Sequence, residues 1–182
     1  EERHRLRLSC IVEMRALVLF CGTGSVDCAF QRLNWEVVSV DWEAKYAPTH
    51  VADVLTWDYK QYPKGHFQFV WGSPACTQFS IARTTGGPRD IEGATALVAR
   101  TLEIMQYFGC PWALENPQTG LLKHQPLMRE LPYSDVTYCA YGYPYRKATR
   151  IWNALGDWNP RLVCCKASPC PAFALEGVHP MS

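Results

Sequence analysis

Short apolar runs that end in glycine or polar residues constrain the fold of this chain most. One of them, Phe67–Trp71, stops at Gly72–Pro74, and Cys76 follows in a polar loop. A strand that leads into a Gly/Pro loop carrying a nucleophile-capable residue is where an open α/β sheet places its chemistry. The stretch therefore indicates a site, although by itself it also fits a cysteine without a role, since free cysteine is usually buried and inert.

Further apolar runs repeat this pattern along the chain. The other predicted strands are Arg15–Phe20, Trp35–Val40, His50–Val54, Pro111–Leu114, Asp135–Ala140 and Thr149–Leu155. Helical spacing of apolar residues predicts helices over 26–33 and 91–108, the second with Asp90 as its cap and Gly109 as its stop, and a loose helix over 121–131. Because strands alternate with helices, we expect an α/β fold with a mostly parallel seven-stranded sheet, one late antiparallel strand, and helices on both faces.

The composition favours a folded intracellular protein. A length of 182 residues suits one main domain, and a hydrophobic content of 48% argues against disorder. The net charge of +1 gives no global basic field, so any contact with nucleic acid would use a local patch. Nine cysteines, several of them inside apolar patterns, indicate reduced thiols. No apolar run approaches the roughly 18 residues of a membrane-spanning helix, so no membrane partner is predicted.

The two ends of the chain differ from its middle. Residues 1–13 are charged, lack the apolar core of a signal peptide and precede Met14, so we interpret them as an upstream extension or a cloning remnant. Residues 14–158 form the predicted main domain, and residues 159–182 are predicted to be a Pro/Cys-rich coil. The tail segment Cys164–Cys170 could bind zinc together with His179, but the spacing between Cys165 and Cys170 is loose for a zinc motif, and we predict no metal.

Polar residues gather where the predicted strands end, which is where parallel sheets bind ligands. These residues are Gly22, Gly24, Asp41, Trp42, Asp53, Ser73, Cys76, Glu115 and Asn116. The glycines would let a ligand approach the backbone at a helix N-terminus, although a tight turn explains them equally well.

The acids at two of these strand ends are typical of a nucleoside site. Asp41 could accept hydrogen bonds from two ribose hydroxyls, and Asp53 could accept one from an exocyclic amine. Trp42 could stack on a purine, although a core tryptophan is the more ordinary interpretation. Asp27 stands where a dinucleotide fingerprint has its third glycine, which favours S-adenosylmethionine over NAD as the cofactor.

Six segments, in order, resemble the motifs of the DNA cytosine-5 methyltransferases. They are LFCGTG at 19–24, VDW at 40–42, DV at 53–54, SPACTQFS at 73–80, LENP at 114–117 and YGYPYRKATRIW at 141–152. The resemblance implies a Rossmann-like, S-adenosylmethionine-dependent methyltransferase domain over 14–158 that methylates C5 of cytosine. DNA is the implied substrate, with RNA left open, and the nucleus or nucleoid is the implied location.

The resemblance also implies roles for individual residues. Cys76 would attack C6 of cytosine, Glu115 would hydrogen-bond the N3/N4 edge of the base, and Asn116 would fix the loop. Lys147 and Arg150 would supply positive charge that stabilises the thiolate, and Arg83 could do so as well. The residues implied in cofactor binding are Phe20, Gly22, Thr23, Gly24, Ser25, Asp41, Trp42, Asp53, Val54, Ser73 and Pro74.

Departures from the family pattern leave two alternatives open. Ala75 replaces the family's second proline, Pro117 replaces a valine, and the target-recognition region and closing motif are missing. An amino-methyltransferase acting on cytosine N4 or adenine N6 is one alternative, because Ser73-Pro74-Ala75 also resembles its loop, which needs no cysteine. The other is a cofactor-binding core that is inactive until a partner protein supplies target recognition.

Overall fold

A computed structural model describes residues 13–177 and residue 179 and shows one seven-stranded sheet. The strands are β1 (Arg15–Leu19), β2 (Glu36–Asp41), β3 (His50–Val51), β4 (Phe69–Gly72), β5 (Trp112–Pro117), β6 (Tyr133–Thr137) and β7 (Ala148–Asn153). Their order is β3-β2-β1-β4-β5-β7-β6, and β7 is antiparallel to both of its neighbours. The predicted mostly parallel sheet with one late antiparallel strand is confirmed. Residues 1–12 lie outside the described residues, so the interpretation of the N-terminal segment stays a prediction.

Within the described residues, three α-helices accompany the sheet: α1 (Ser25–Arg32), α2 (Ile91–Phe108) and α3 (Pro171–Glu176). The long helix α2 has both of its predicted ends. The Asp90 carboxylate accepts a hydrogen bond from the Gly93 N–H at 2.8 Å, and Gly109 ends the helix in the left-handed conformation at φ 64°.

The strands predicted over His50–Val54 and Asp135–Ala140 end earlier, at Val51 and Thr137, and two other predicted elements differ in type. The loose helix over 121–131 is a pair of 3-10 turns, Leu121–His124 and Pro126–Met128, because Pro126 has no N–H with which to continue a helical ladder. The predicted coil of the tail contains α3, which begins after Cys170 and has proline in its first turn, a favourable position for that residue.

The helices lie on opposite faces of the sheet, as predicted. Neighbouring strand residues point to opposite faces. On β4, the Phe69 ring packs against Phe30 of α1 at a centroid distance of 5.4 Å, whereas Val70 belongs to the buried cluster that contains Ile104 and Met105 of α2. The central strand β1 is fully buried from Ala16 on.

The helix α2 packs closely on the end of β4. A Cβ atom at Gly72 would lie 2.8 Å from Cγ2 of Thr101 and 2.9 Å from Cε of Met105. Glycine therefore allows the helix and strand to approach where β4 leads into the Cys76 loop. Among the described residues, no helix has the length and apolarity needed to cross a membrane.

Candidate active site

The turn after β1 holds the Asp41 carboxylate in place. The Gly22 N–H donates to Asp41 Oδ2 at 3.0 Å, and the Glu43 N–H donates to Oδ1 at 2.9 Å. Gly24, at φ 75°, precedes α1 in a conformation that glycine adopts without strain. Each carboxylate oxygen has further lone pairs, so Asp41 can accept hydrogen bonds from a ligand with two neighbouring hydroxyls.

The neighbouring candidates differ in what they offer a ligand. The Trp42 side chain is 75% exposed, so its ring is accessible for stacking. Asp53 is exposed and accepts the Leu55 N–H through Oδ1 at 2.9 Å. The Val54 side chain is only 2% exposed and lies in the core, so only its backbone could contact a ligand.

Ser73 ties the end of β4 to the turn after β1. Its hydroxyl donates to the Phe20 carbonyl at 3.2 Å, and its N–H donates to the Leu19 carbonyl at 3.3 Å. Phe20 itself has a positive φ of 61°, which this pair of contacts helps to hold. The exposed hydroxyls of Thr23 and Ser25 lie 3.3 Å apart at the start of α1.

The loop that carries Cys76 is anchored on both sides of the thiol. On one side, the Asn116 side-chain amide donates to the Pro74 carbonyl at 2.9 Å in a buried contact. On the other, the fully buried Phe79 accepts the Leu121 N–H at 2.8 Å through its carbonyl. Cys76 is partly exposed between these anchors, and no described group forms a hydrogen bond with its sulfur. The Asn116 amide thus contacts the loop at Pro74, and its role in the reaction stays a prediction.

Arg83 shapes the same loop from within. Its guanidinium donates to Gln78 Oε1 at 2.5 Å and to the Gly87 carbonyl at 3.0 Å, and the Asp90 N–H donates to the same Gln78 oxygen at 3.1 Å. These contacts direct the Arg83 charge into the 78–90 segment. Arg83 therefore organises the loop, and the structure shows no contact between it and the Cys76 thiol.

Glu115 and Lys147 form a close ion pair at the end of β5. Lys147 Nζ lies 3.1 Å from Glu115 Oε1 and 3.4 Å from the Tyr138 hydroxyl. Burial is the largest single influence on Lys147 and lowers its pKa, but the charges of Glu115 and Tyr138 and the hydrogen bonds to both together outweigh it, so the pKa is raised. Lys147 is therefore protonated at neutral pH, next to a carboxylate of which only 8% is exposed.

Arg150 lies away from this pair. In the β5–β7 register, Arg150 is opposite Asn116, whereas Glu115 is opposite Ile151, so the two charged side chains point to different faces. The Arg150 guanidinium donates to both oxygens of Asp135, at 2.7 and 2.8 Å. The structure thus brings only Lys147 of the two predicted cations to Glu115, and Arg150 strengthens the β6–β7 pairing instead.

The similarity of the chain to known proteins identifies its family. No family model matches the sequence. A probable DNA (cytosine-5)-methyltransferase of Frog virus 3 (isolate Goorha) is 37% identical over 174 residues, covering 87% of this chain and 78% of the relative. The chain belongs to the DNA (cytosine-5)-methyltransferase family. This confirms the predicted family and the predicted enzyme class, an S-adenosylmethionine-dependent methyltransferase.

Solved structures confirm the predicted Rossmann-like fold of this methyltransferase. A variant of DNMT2 from Spodoptera frugiperda matches with a TM-score of 0.58 at 16% identity, over 86% of this chain and 57% of that one. The methyltransferase EhMeth of Entamoeba histolytica matches with a TM-score of 0.54 at 14% identity, over 81% of this chain and 54% of that one. The chain spans slightly more than half the length of these two proteins.

The candidate site includes a tyrosine that the sequence analysis missed. Tyr138 contacts Lys147 through its hydroxyl, and the Lys147 ammonium lies 4.7 Å from the centre of its ring. The pairing of β6 with β7 explains this contact. Because Thr137 pairs with Ala148, the next residues, 138 and 147, lie opposite each other at the end of the antiparallel pair. Tyr138 and Glu115 line a groove of about 620 Å³ between α1 and the sheet.

The tail of the methyltransferase is folded against β6. The Cys164 N–H donates to Thr137 Oγ1 at 2.9 Å, and Arg146 donates to the Cys164 carbonyl at 3.1 Å. Potential metal ligands converge there, with one atom from each within 4.8 Å of the others; the residues are Cys139, Cys164, Cys170 and His179. Cys165, which made the spacing look loose, is exposed and does not join this group.

Proposed function

We propose that this protein transfers a methyl group from S-adenosylmethionine to C5 of cytosine in DNA through a covalent adduct with Cys76. One observation supports this most: the buried Asn116–Pro74 hydrogen bond fixes the Cys76 loop to the strand that presents the Glu115–Lys147 pair. Strands β1, β2, β4 and β5 are parallel to one another. Asp41, at the end of β2, therefore lies at the same edge of the sheet as the Cys76 loop and Glu115.

The thiol of Cys76 suits a nucleophile. Cytosine C5 is a poor nucleophile until a group adds to C6, and adding a thiolate splits the reaction into two easier steps. In the proposed sequence, the Cys76 thiolate bonds to C6 while N3 takes up a proton. C5 then takes the methyl group and S-adenosylhomocysteine leaves, and removal of the C5 proton expels the thiolate, with N3 giving up its proton. The base has to leave the DNA stack to reach Cys76, as for other enzymes that act on a base.

Glu115 and Lys147 are suited to handle the charge that builds up on the base. Adding the thiolate to C6 places electron density on N3, which a proton shared with Glu115 would neutralise. The Lys147 ammonium donates a hydrogen bond to the same carboxylate at 3.1 Å. It therefore orients the carboxylate at the end of β5, and we assign it a positioning role.

The residues around Asp41 fit the adenosyl part of the cofactor, which supplies an electrophilic methyl group when bound. Asp41 has both carboxylate oxygens fixed by backbone N–H groups and is thereby oriented toward vicinal hydroxyls. Trp42 presents an exposed ring for the adenine, and Asp53 an exposed acceptor for its amine. The backbone at Phe20, Gly22 and Ser73 would line the rest of this cofactor site.

The test is an assay for the methylated product. The protein is incubated with S-adenosylmethionine carrying a deuterated methyl group and with a cytosine-containing DNA or RNA oligonucleotide, and the digested nucleosides are analysed by mass spectrometry. We expect labelled 5-methylcytosine from the DNA. Label on cytosine N4 or adenine N6 would support the amino-methyltransferase alternative, and label only in RNA would overturn the proposed substrate.

The same assay tests dependence on a partner protein. We propose that the chain acts where DNA is held, in the nucleus or nucleoid. If the isolated chain binds the cofactor but transfers no methyl group until a second protein is added, the partner-dependent alternative is correct.

A further inference from the structure

We propose that Cys139, Cys164, Cys170 and His179 form a structural zinc site. The cluster lies outside the methyl-transfer site, and the family assignment does not call for it. One potential ligand atom from each of the residues lies within 4.8 Å of the others. The cysteines are buried and all three are free thiols, so they are available as metal ligands.

The two distances from the histidine to the sulfurs fit a tetrahedral zinc ion. With Zn–S of about 2.3 Å and Zn–N of about 2.0–2.1 Å, a sulfur and a nitrogen ligand at the tetrahedral angle lie roughly 3.6 Å apart. The His179 Nε2 atom lies 3.6 Å from Cys164 Sγ and 3.5 Å from Cys170 Sγ. An S–H···N hydrogen bond has a similar length, so it is the convergence of three thiols on one imidazole that points to zinc.

Neighbouring groups stabilise negative charge on the sulfurs. The Cys170 N–H points to Cys164 Sγ at 3.2 Å, and the Phe173 N–H points to Cys170 Sγ at 3.5 Å. Backbone donors of this kind are what thiolate ligands use as an outer shell. Arg146 and Lys166 border the adjoining opening and offset the net negative charge of three thiolates on one zinc ion.

The ligand set indicates a structural role. Four protein ligands close a tetrahedral zinc site, whereas a catalytic zinc keeps a position open for water. Cys139 follows β6, whereas the other three lie in the tail, with Cys164 and Cys170 before α3 and His179 after it. A zinc ion here would fasten the tail to the end of β6, next to the Tyr138–Lys147 contact.

The experiment compares zinc content in matched variants. Wild type, Cys164→Ser and Cys165→Ser are purified under reducing conditions without chelator, and zinc is measured by plasma mass spectrometry. Cys165 is the control because it is the adjacent cysteine but is exposed. We expect stoichiometric zinc in wild type and Cys165→Ser, and loss of most of it in Cys164→Ser. Wild type without zinc after reconstitution, or equal loss in both variants, would overturn the proposal.

A second readout does not depend on how the variant folds. Wild-type protein is stripped of metal and titrated with Co²⁺, which gives intense visible absorption when bound tetrahedrally by thiolates. We expect that absorption to appear and to be displaced by zinc. A six-coordinate cobalt spectrum, or a Cys164–Cys170 disulfide in freshly purified reduced protein, would contradict the site. Neither readout involves methyl transfer, so failure of the proposed function would leave this test intact.

Discussion

Cys76 and the Cys139/Cys164/Cys170 group place the same side chain in opposite surroundings. Cys76 is partly exposed in a loop, between two anchors, and no described group hydrogen-bonds its sulfur. The three other thiols are buried beside a histidine, and two of their sulfurs accept backbone N–H groups. A nucleophile needs access and a free lone pair, whereas a metal ligand needs converging neighbours. The surroundings, more than the residue type, separate the two roles.

Cys21 shows a third environment. It directly precedes the glycine turn, yet burial raises its pKa to about 11. At neutral pH it is therefore a thiol with very little thiolate, and it is a poor nucleophile. Its closeness to the proposed cofactor site makes it a useful control for Cys76.

The largest expected effect is the loss of methyl transfer in Cys76→Ser, which should leave the proposed zinc site intact. Cys76→Ser should lower methyl transfer by several orders of magnitude, as removal of other catalytic nucleophiles does, because a hydroxyl offers far less anion than a thiol. Cofactor binding by calorimetry and zinc content should stay at the wild-type level.

The controls for this variant are the cysteines elsewhere. Cys28→Ser, at an exposed position on α1, should keep full activity. If Cys76→Ser protein still made 5-methylcytosine at the wild-type rate, Cys76 would not be the nucleophile. The methyl group would then pass to C5 by direct displacement, without a covalent adduct.

Glu115→Gln should have the next largest effect on chemistry. An amide cannot share a proton with N3, so methyl transfer should fall by about 10²–10⁴-fold, the usual range for loss of a general acid or base. Single-turnover kinetics at saturating cofactor would measure this loss. An unchanged rate would show that Glu115 takes no part in the reaction at Cys76.

Cys164→Ser should affect stability more than chemistry. Losing a structural metal removes binding free energy that is available only to the folded chain, so we expect a lower thermal midpoint and a loss of several kcal/mol. Thermal unfolding with and without added zinc would measure it. If the midpoint of wild type did not respond to a chelator, the tail would be held without metal.

Asn116→Ala should weaken the anchor of the Cys76 loop. Its removal leaves the buried Pro74 carbonyl without its partner, which costs about 1–3 kcal/mol. We expect a lower rate of transfer with unchanged zinc content, measured in the same assays. Equal effects on rate and zinc would mean that the variant perturbs the whole fold.

The smallest effect concerns the Lys147–Glu115 pair. The folded state raises the pKa of Lys147, so the stability that the pair provides is fully present below the ordinary lysine pKa and is lost as pH rises through the folded value. Lys147→Met should therefore be less stable than wild type at neutral pH, by about 0–1 kcal/mol for a partly exposed pair. Urea unfolding should show that the difference in free energy of unfolding between wild type and Lys147→Met disappears above about pH 10.4. If the difference persists at that pH, the ion pair is not its cause.

The sequence predicted the fold and the strand-end residues well because both depend on local patterns. The cap at Asp90 and the stop at Gly109 fixed α2, and apolar runs fixed the central strands. Lys147 and Arg150 could not be told apart, because their roles depend on register: one residue of difference sends a strand side chain to the other face.

The sequence raised Cys164–Cys170 and His179 as a possible zinc site, but it could not show that Cys139 joins them. Cys139 is separated from Cys164 by the whole of β7, and the two meet only because the tail folds back on β6. Spacing rules consider ligands that are close in sequence, and they counted Cys165, which the fold directs outward. The tail's α3 was missed because six residues are too few for an apolar stripe to be recognised.

Trapping the covalent intermediate tests the central claim most directly. DNA containing 5-fluorocytosine carries fluorine in place of the proton that must leave C5, so the adduct cannot resolve. Wild-type protein incubated with this DNA and S-adenosylmethionine should form a denaturation-resistant complex, and peptide mass spectrometry should place the DNA on Cys76. Cys76→Ser should form none. A complex attached at Cys21 or another cysteine, or 5-methylcytosine formed from ordinary DNA while wild type gives no complex, would contradict the account.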